Sequence, residues 1–142
     1  MTGNLTQGLV DTNILILRSS IDPDLLPDEF AISAVTLAEL SAGVNLVFGD
    51  SPQMIMERAH RLDILQRTER EFDPLPFDAS CARIFGRLSA AVAAIGRTPL
   101  RRTADLMIAA TAVANRLPLY TTNPDDYEGL MGILTLVPVP RP

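Results

Sequence analysis

Gly8-Leu9-Val10-Asp11-Thr12-Asn13-Ile14-Leu15 opens with three residues that can be buried on both sides, reaches a carboxylate, and continues as a helical pattern to Arg18. A short, wholly apolar run is what a strand covered by helices on both faces looks like, and an acid at its carboxyl end lies where such sheets collect ligands. Working outward, the pattern repeats. Ser20 to Glu29 reads as a loop broken by Pro23 and Pro27, and Phe30 to Ala34 as a second apolar run. A helix from about Val35 to Phe48 follows, with Leu37, Leu40, Val44 and Val47 at helical spacing. Gly49-Asp50-Ser51-Pro52 stops it and starts the next, with Ser51 as a candidate cap and Pro52 suited to a first helical turn.

Pro52 to Arg70 reads as an amphipathic surface helix with Ile55, Ala59, Leu62 and Leu65 on its apolar side. Leu75-Pro76-Phe77 is a third strand candidate, weakened by its prolines, and Asp78 is expected to cap a helix to about Ile95. In that helix Cys81, Ile84, Phe85, Leu88, Val92 and Ile95 share one face, which makes Cys81 a core residue. After a loop from Gly96 to Arg102, Thr103 is expected to cap a helix to Asn115, apolar nearly all round and therefore buried. Pro118 to Thr122 is a fourth strand, Asn123 to Leu130 a turn with a short helix, and Leu134 to Val139 a last strand. Short apolar strands alternating with helices predict a doubly wound α/β fold with a central parallel sheet.

The 142 residues suit one domain spanning 1–142, and 47% hydrophobic with 20% charged residues is ordinary globular usage. No apolar run approaches the ~20 residues of a membrane helix, and the first ten residues lack a signal-peptide pattern, so a cytoplasmic protein without a membrane partner is expected. One Cys and one His exclude a disulfide framework and a four-ligand zinc site; His60, among Glu57, Arg58 and Arg61, reads as a solvated helix residue. The net charge of −5 argues against nucleic-acid binding by bulk charge, so any basic contact must be local. All 12 basic residues are Arg; Arg97, Arg101 and Arg102, just ahead of Asp105, are candidates for contacting the phosphates of a nucleic acid.

Asp11, Glu39, Asp105 and Asp126 each belong to a different connection on the expected rim of the sheet. Glu39 and Asp105 lie inside otherwise apolar stretches, Thr36-Leu37-Ala38-Glu39-Leu40 and Ala104-Asp105-Leu106-Met107-Ile108, where an ionised group needs a partner. Carboxylates forced together repel or take up protons, and a hard divalent cation resolves the conflict. Mg2+ or Mn2+ on such a cluster suits metal-assisted phosphodiester hydrolysis.

These stretches together resemble a known family. Leu9-Val10-Asp11-Thr12-Asn13, then Ser33 to Leu40 with Gly43, then Thr103-Ala104-Asp105 with Ile108-Ala109-Ala110, and Thr121 to Tyr127 are similar, in order and across about the whole chain, to PIN-domain proteins, particularly the VapC toxins of bacterial toxin–antitoxin pairs. The resemblance implies a PIN-like three-layer α/β/α sandwich and an endoribonuclease dependent on Mg2+ or Mn2+. It implies Asp11 and Asp105 as principal metal ligands and Glu39 as a further acid acting on metal or water. Thr12 and Asn13 would position Asp11 and the substrate, and the fourth acid would be Asp126 with Asn123 supporting. A homodimer and a VapB-like antitoxin, whose carboxyl-terminal segment covers the acidic cleft, are implied as well. Two other readings share parts of the pattern. A phosphoacceptor receiver domain also clusters aspartates at strand ends but needs a lysine, and this sequence has none; a PIN-like interaction module that does not cleave is opposed by the four acids being present together.

Overall fold

A computed structural model describes residues 5–142. Four strands, β1 (Gln7–Val10), β2 (Glu29–Ala31), β3 (Leu119–Thr121) and β4 (Leu136–Pro138), form one sheet in the order β2-β1-β3-β4, every pair parallel. The chain leaves β1 toward β2 on one side and returns at β3 on the other, so the direction of winding switches between β1 and β3. Ligand crevices form at such a point, beyond the carboxyl ends of the strands. Asp11 follows β1 and Asn123 lies two residues past β3, so both face that crevice end.

Five helices cover the sheet: α1 (Thr12–Leu17), α2 (Ala34–Asn45), α3 (Pro52–Glu71), α4 (Ala79–Ala94) and α5 (Thr103–Ala114). Consecutive side chains of a strand point to opposite faces, and β1 shows the consequence. Leu9 joins one core layer with Leu88, Val92, Leu106 and Ile108 of α4 and α5, while Val10 joins the other with Ile14, Leu40 and Ile64 of α1, α2 and α3. This is the α/β/α sandwich expected from the strand pattern. As anticipated, α5 is buried along most of its length, and Ala109, Ala110 and Ala112 let it lie close to the sheet.

Several local expectations are corrected. Leu75 makes only an isolated parallel bridge to Ser33, and no strand forms at Leu75–Phe77, because Pro74 and Pro76 have no N–H to extend a ladder. Ser51 and Asp78 do cap α3 and α4, accepting from Met54 N and Cys81 N. Thr103 does not cap α5; its hydroxyl donates back to Leu100 O in a 3-10 turn (Pro99–Arg102) that runs straight into the helix. The helix α2 ends at Asn45, short of Phe48.

The face of α3 is also different. Ile55 (53% exposed) and Leu62 (39%) point outward, while Ile64 and Thr68 are buried. Two arginines occupy the inner side: Arg58 donates to Val47 O and Gly49 O, and Arg61 to Gly43 O, satisfying carbonyls at the end of α2. Of the stripe read from the sequence only Leu65 packs on the core, beside Ile64, and long guanidinium stems take up the rest of the inner side. Cys81, Leu88 and Val92 are buried as expected on α4, but Ile95, past its last turn, is 47% exposed.

Gly8 marks the tightest approach in the sheet. A Cβ there would overlap the Tyr120 ring and meet Pro27 Cβ at 3.3 Å. Overpacking a core costs about 1–3 kcal/mol. Gly8→Ala is therefore expected to destabilise by about 2 kcal/mol, lowering Tm by roughly 6 °C in thermal denaturation.

Candidate active site

Asp11 is 5% exposed and performs two tasks at once. As N-cap of α1 it accepts Ile14 N–H on Oδ1 at 3.2 Å, and its Oδ2 lies 3.5 Å from the Tyr127 hydroxyl. Burial pushes its pKa up, against opposing hydrogen bonds from Thr121, Ile14 and Tyr127, with Asp126 raising it further. The first residue of α1, Thr12, turns its hydroxyl to the next helix. It donates to Glu39 Oε1 at 2.5 Å and lies 3.2 Å from the buried Thr36 hydroxyl. Glu39 is thereby tied to the segment that carries Asp11.

Asp105 occupies the first turn of α5. Burial, then the charges of Asp126, Glu39 and Asp11, push its pKa up to about 6, with Arg102 opposing. The charges that act on Asp105 thus come from three other segments of the chain. Asp126 stands in the 3-10 turn Pro124–Tyr127 and accepts from Arg102 Nη1 at 2.6 Å. Asn123 turns away: its backbone N–H donates to Thr121 Oγ1, and its Oδ1 is 3.4 Å from Arg141 Nη1. Asn13 is half-buried beside Asp11, with no side-chain hydrogen bond among the described residues.

The three arginines separate. Arg97 donates to Asp125 O at 2.9 Å and pairs with Glu128, so it braces the segment bearing Asp126. Arg102 is engaged by Asp126. Arg101 is exposed and makes no ion pair among the described residues. Two contributors were not singled out from the sequence, Thr121 and Tyr127. The signal for Tyr127 was an aromatic with a polar tip at the end of a proline-led turn next to Asp126.

Beside the acids, a cleft of about 320 Å³ between α1, α2 and α3 is lined by Thr12, Glu39, Leu40, Gly43, His60 and Arg61.

The donor set is all oxygen and carries more negative charge than the single Arg102 offsets. Among the described residues no three acids, histidines or cysteines are grouped closely enough to enclose one ion. Oxygen donors of this kind are what a hard divalent cation takes.

Comparison with known proteins agrees with this geometry. Residues 8–128 match the PIN domain family. The chain is 37% identical over 128 residues to Ribonuclease VapC5 of Mycobacterium tuberculosis, covering 88% of each chain. The solved structure of VapBC-5 from M. tuberculosis, a member of the VapBC family of toxin–antitoxin systems, superposes with a TM-score of 0.77 at 34% identity, over 96% of this chain and 99% of the other. VapBC2 from Rickettsia felis, solved bound to a DNA fragment from its promoter, gives 0.63 at 25% identity over 92% and 97%. The family match over residues 8–128, with 37% identity to a VapC ribonuclease over 88% of each chain, places the chain in the PIN domain family, among the VapC-type ribonucleases.

Proposed function

We propose that this chain, as a single domain, is the toxin ribonuclease of a VapBC-type pair, cleaving RNA phosphodiester bonds with Mg2+ or Mn2+ held by Asp11 and Asp105. The observation that carries the reading is the placement of Asp11 and Asp126 just past the ends of β1 and β3, at the switch point of the sheet, with Glu39 tied to the Asp11 segment through Thr12 and Asp105 in the first turn of α5, where the charges of the other three acids raise its pKa. A bound cation would supply Lewis acidity toward a phosphate oxygen and a more acidic water.

The chain's own residues do the rest. Ile14 N–H and Thr121 favour the ionised form of Asp11 and fix its direction. Thr12 fixes Glu39, leaving that carboxylate positioned to take a proton from an attacking water. Arg102 holds Asp126 and tempers the negative charge that would otherwise repel phosphate. The substrate is RNA, and the partner a VapB-like antitoxin whose tail covers the cleft beside Glu39. The neighbouring structures of toxin–antitoxin assemblies support that partner. The active unit is a homodimer, working in the cytoplasm.

The test is cleavage of a defined RNA by the purified chain. Discrete product ends in Mg2+ that disappear in EDTA are expected; equal cleavage in EDTA contradicts the reading. Arg101 is exposed in the 3-10 turn just ahead of Asp105, so Arg101→Ala should weaken RNA binding at low salt. It should also shrink the slope of log K against log salt by about 0.7, the value of one single-strand phosphate contact. Filter binding across a salt series measures it, and an unchanged slope removes that contact.

A further inference from the structure

Tyr127 is 2% exposed, its ring packed in the core layer with Leu88, Val92, Leu106 and Leu130. A phenol so deep needs a partner for its hydroxyl. The partner is Asp11 Oδ2 at 3.5 Å, a long contact of the kind that tightens when a site is filled. The opposite oxygen, Oδ1, takes Ile14 N–H, so both oxygens of this carboxylate are engaged and each keeps a lone pair free. From the geometry we infer that Tyr127 is a positioning residue: anchored by its ring in the core, it holds Asp11 at the angle a divalent cation needs, through a neutral donor. This rests on the proposed metal-dependent function and deepens it.

The choice of donor matters. An arginine or lysine in this place would orient Asp11 equally well, but its charge would compete with the cation. The phenol donates without adding charge. A phenol, with an ordinary pKa of about 10, stays protonated at neutral pH and keeps its O–H to donate. Backbone bonds fix the ring's approach: Asp126 N–H donates to Asn123 O, and Glu128 N–H to Asp125 O, closing the turn on either side of it. Gly129, at φ 91, follows directly, and a Cβ there would meet Ile95 Cδ1 at 2.8 Å, so the turn also seats tightly against the end of α4.

Two tyrosines and no tryptophan make the site visible in fluorescence. In a Tyr120→Phe background Tyr127 is the sole emitter, and saturating Mn2+, a paramagnetic quencher, is expected to cut its emission at least about twofold. Calorimetric titration of Tyr127→Phe with Mn2+ alone should show affinity weakened by about tenfold, the usual scale for loss of a ligand's hydrogen-bond partner. Its Tm should stay within about 2 °C because the ring remains, and kcat should fall while KM for RNA holds. Unchanged Mn2+ affinity and kcat in the folded Phe variant, or unquenched emission in the Tyr120→Phe protein at saturating Mn2+, overturns the inference and leaves the proposed function intact. Failure of the unmodified protein to take up Mn2+ overturns both.

Discussion

Asp11→Asn is expected to abolish RNA cleavage, by about 10³-fold or more, while leaving a folded protein. Loss of that factor corresponds to about 4 kcal/mol of transition-state stabilisation. Asn is as good an N-cap as Asp, so α1 keeps its first hydrogen bond, from Ile14 N–H to the side-chain oxygen. The neutral amide also escapes the burial penalty that pushes Asp11's pKa up. Growth arrest on expression without the antitoxin gene should therefore vanish with Asp11→Asn even though soluble protein accumulates. Mapped RNA ends from both cultures check it. Arrest that persists with soluble Asp11→Asn would separate toxicity from catalysis at this site.

Asp105→Asn should show the opposite signs in two assays. Cleavage falls by a comparable factor, because a principal metal ligand is lost. Stability of the metal-free protein rises. The folded-state pKa of about 6 lies above the ordinary 3.8, so the folded protein holds this proton more tightly than the unfolded chain does. Asp105's contribution is then most favourable below about pH 4, declines as pH rises through the window from about 4 to 6, and is a full penalty above it. The side chain is partly exposed, so solvent screening reduces that penalty to about 1 kcal/mol. In EDTA at pH 7.5 the Asn variant should melt about 3 °C higher than the parent, and at pH 4 the two should coincide. Adding Mg2+ should raise the parent alone. A variant that melts lower at pH 7.5 would mean that Asp105 has a favourable charge partner in the metal-free protein.

On the proposed reading, these signs describe a site that is unfavourable by itself and favourable with a cation. The strain is electrostatic, created when α1, α2, α5 and the turn after β3 bring acids together at one end of the sheet. It explains why Arg102 reaches Asp126: in the metal-free protein one guanidinium offsets part of the excess.

Much of this was readable before any coordinates. Asp11, Glu39 and Asp105 announce themselves because each interrupts an apolar stretch, and Gly8-Leu9-Val10 signals a strand buried on both faces. What escaped has physical causes. Leu75 sits in an apolar run that looks extended, but flanking prolines remove the N–H groups a ladder needs. The inner face of α3 was misassigned because Arg58 and Arg61 satisfy carbonyls of the preceding helix end, a tertiary bond no periodicity encodes. The partners of Arg97, Asp125 and Glu128, escaped because they come from a turn far along the chain. Tyr127 reads as a core aromatic, which it is; its hydroxyl's contact with Asp11 spans 116 residues and exists only once the sheet has formed.

The most direct measurement is calorimetric titration of Mn2+ into the metal-free chain at pH 7.5, beside Asp11→Asn. Saturable binding to the parent and none to the variant is the predicted pair of results. A parent that cleaves RNA yet binds no cation, or a variant that binds it equally well, would contradict the claim that these acids form one pocket completed by a divalent ion.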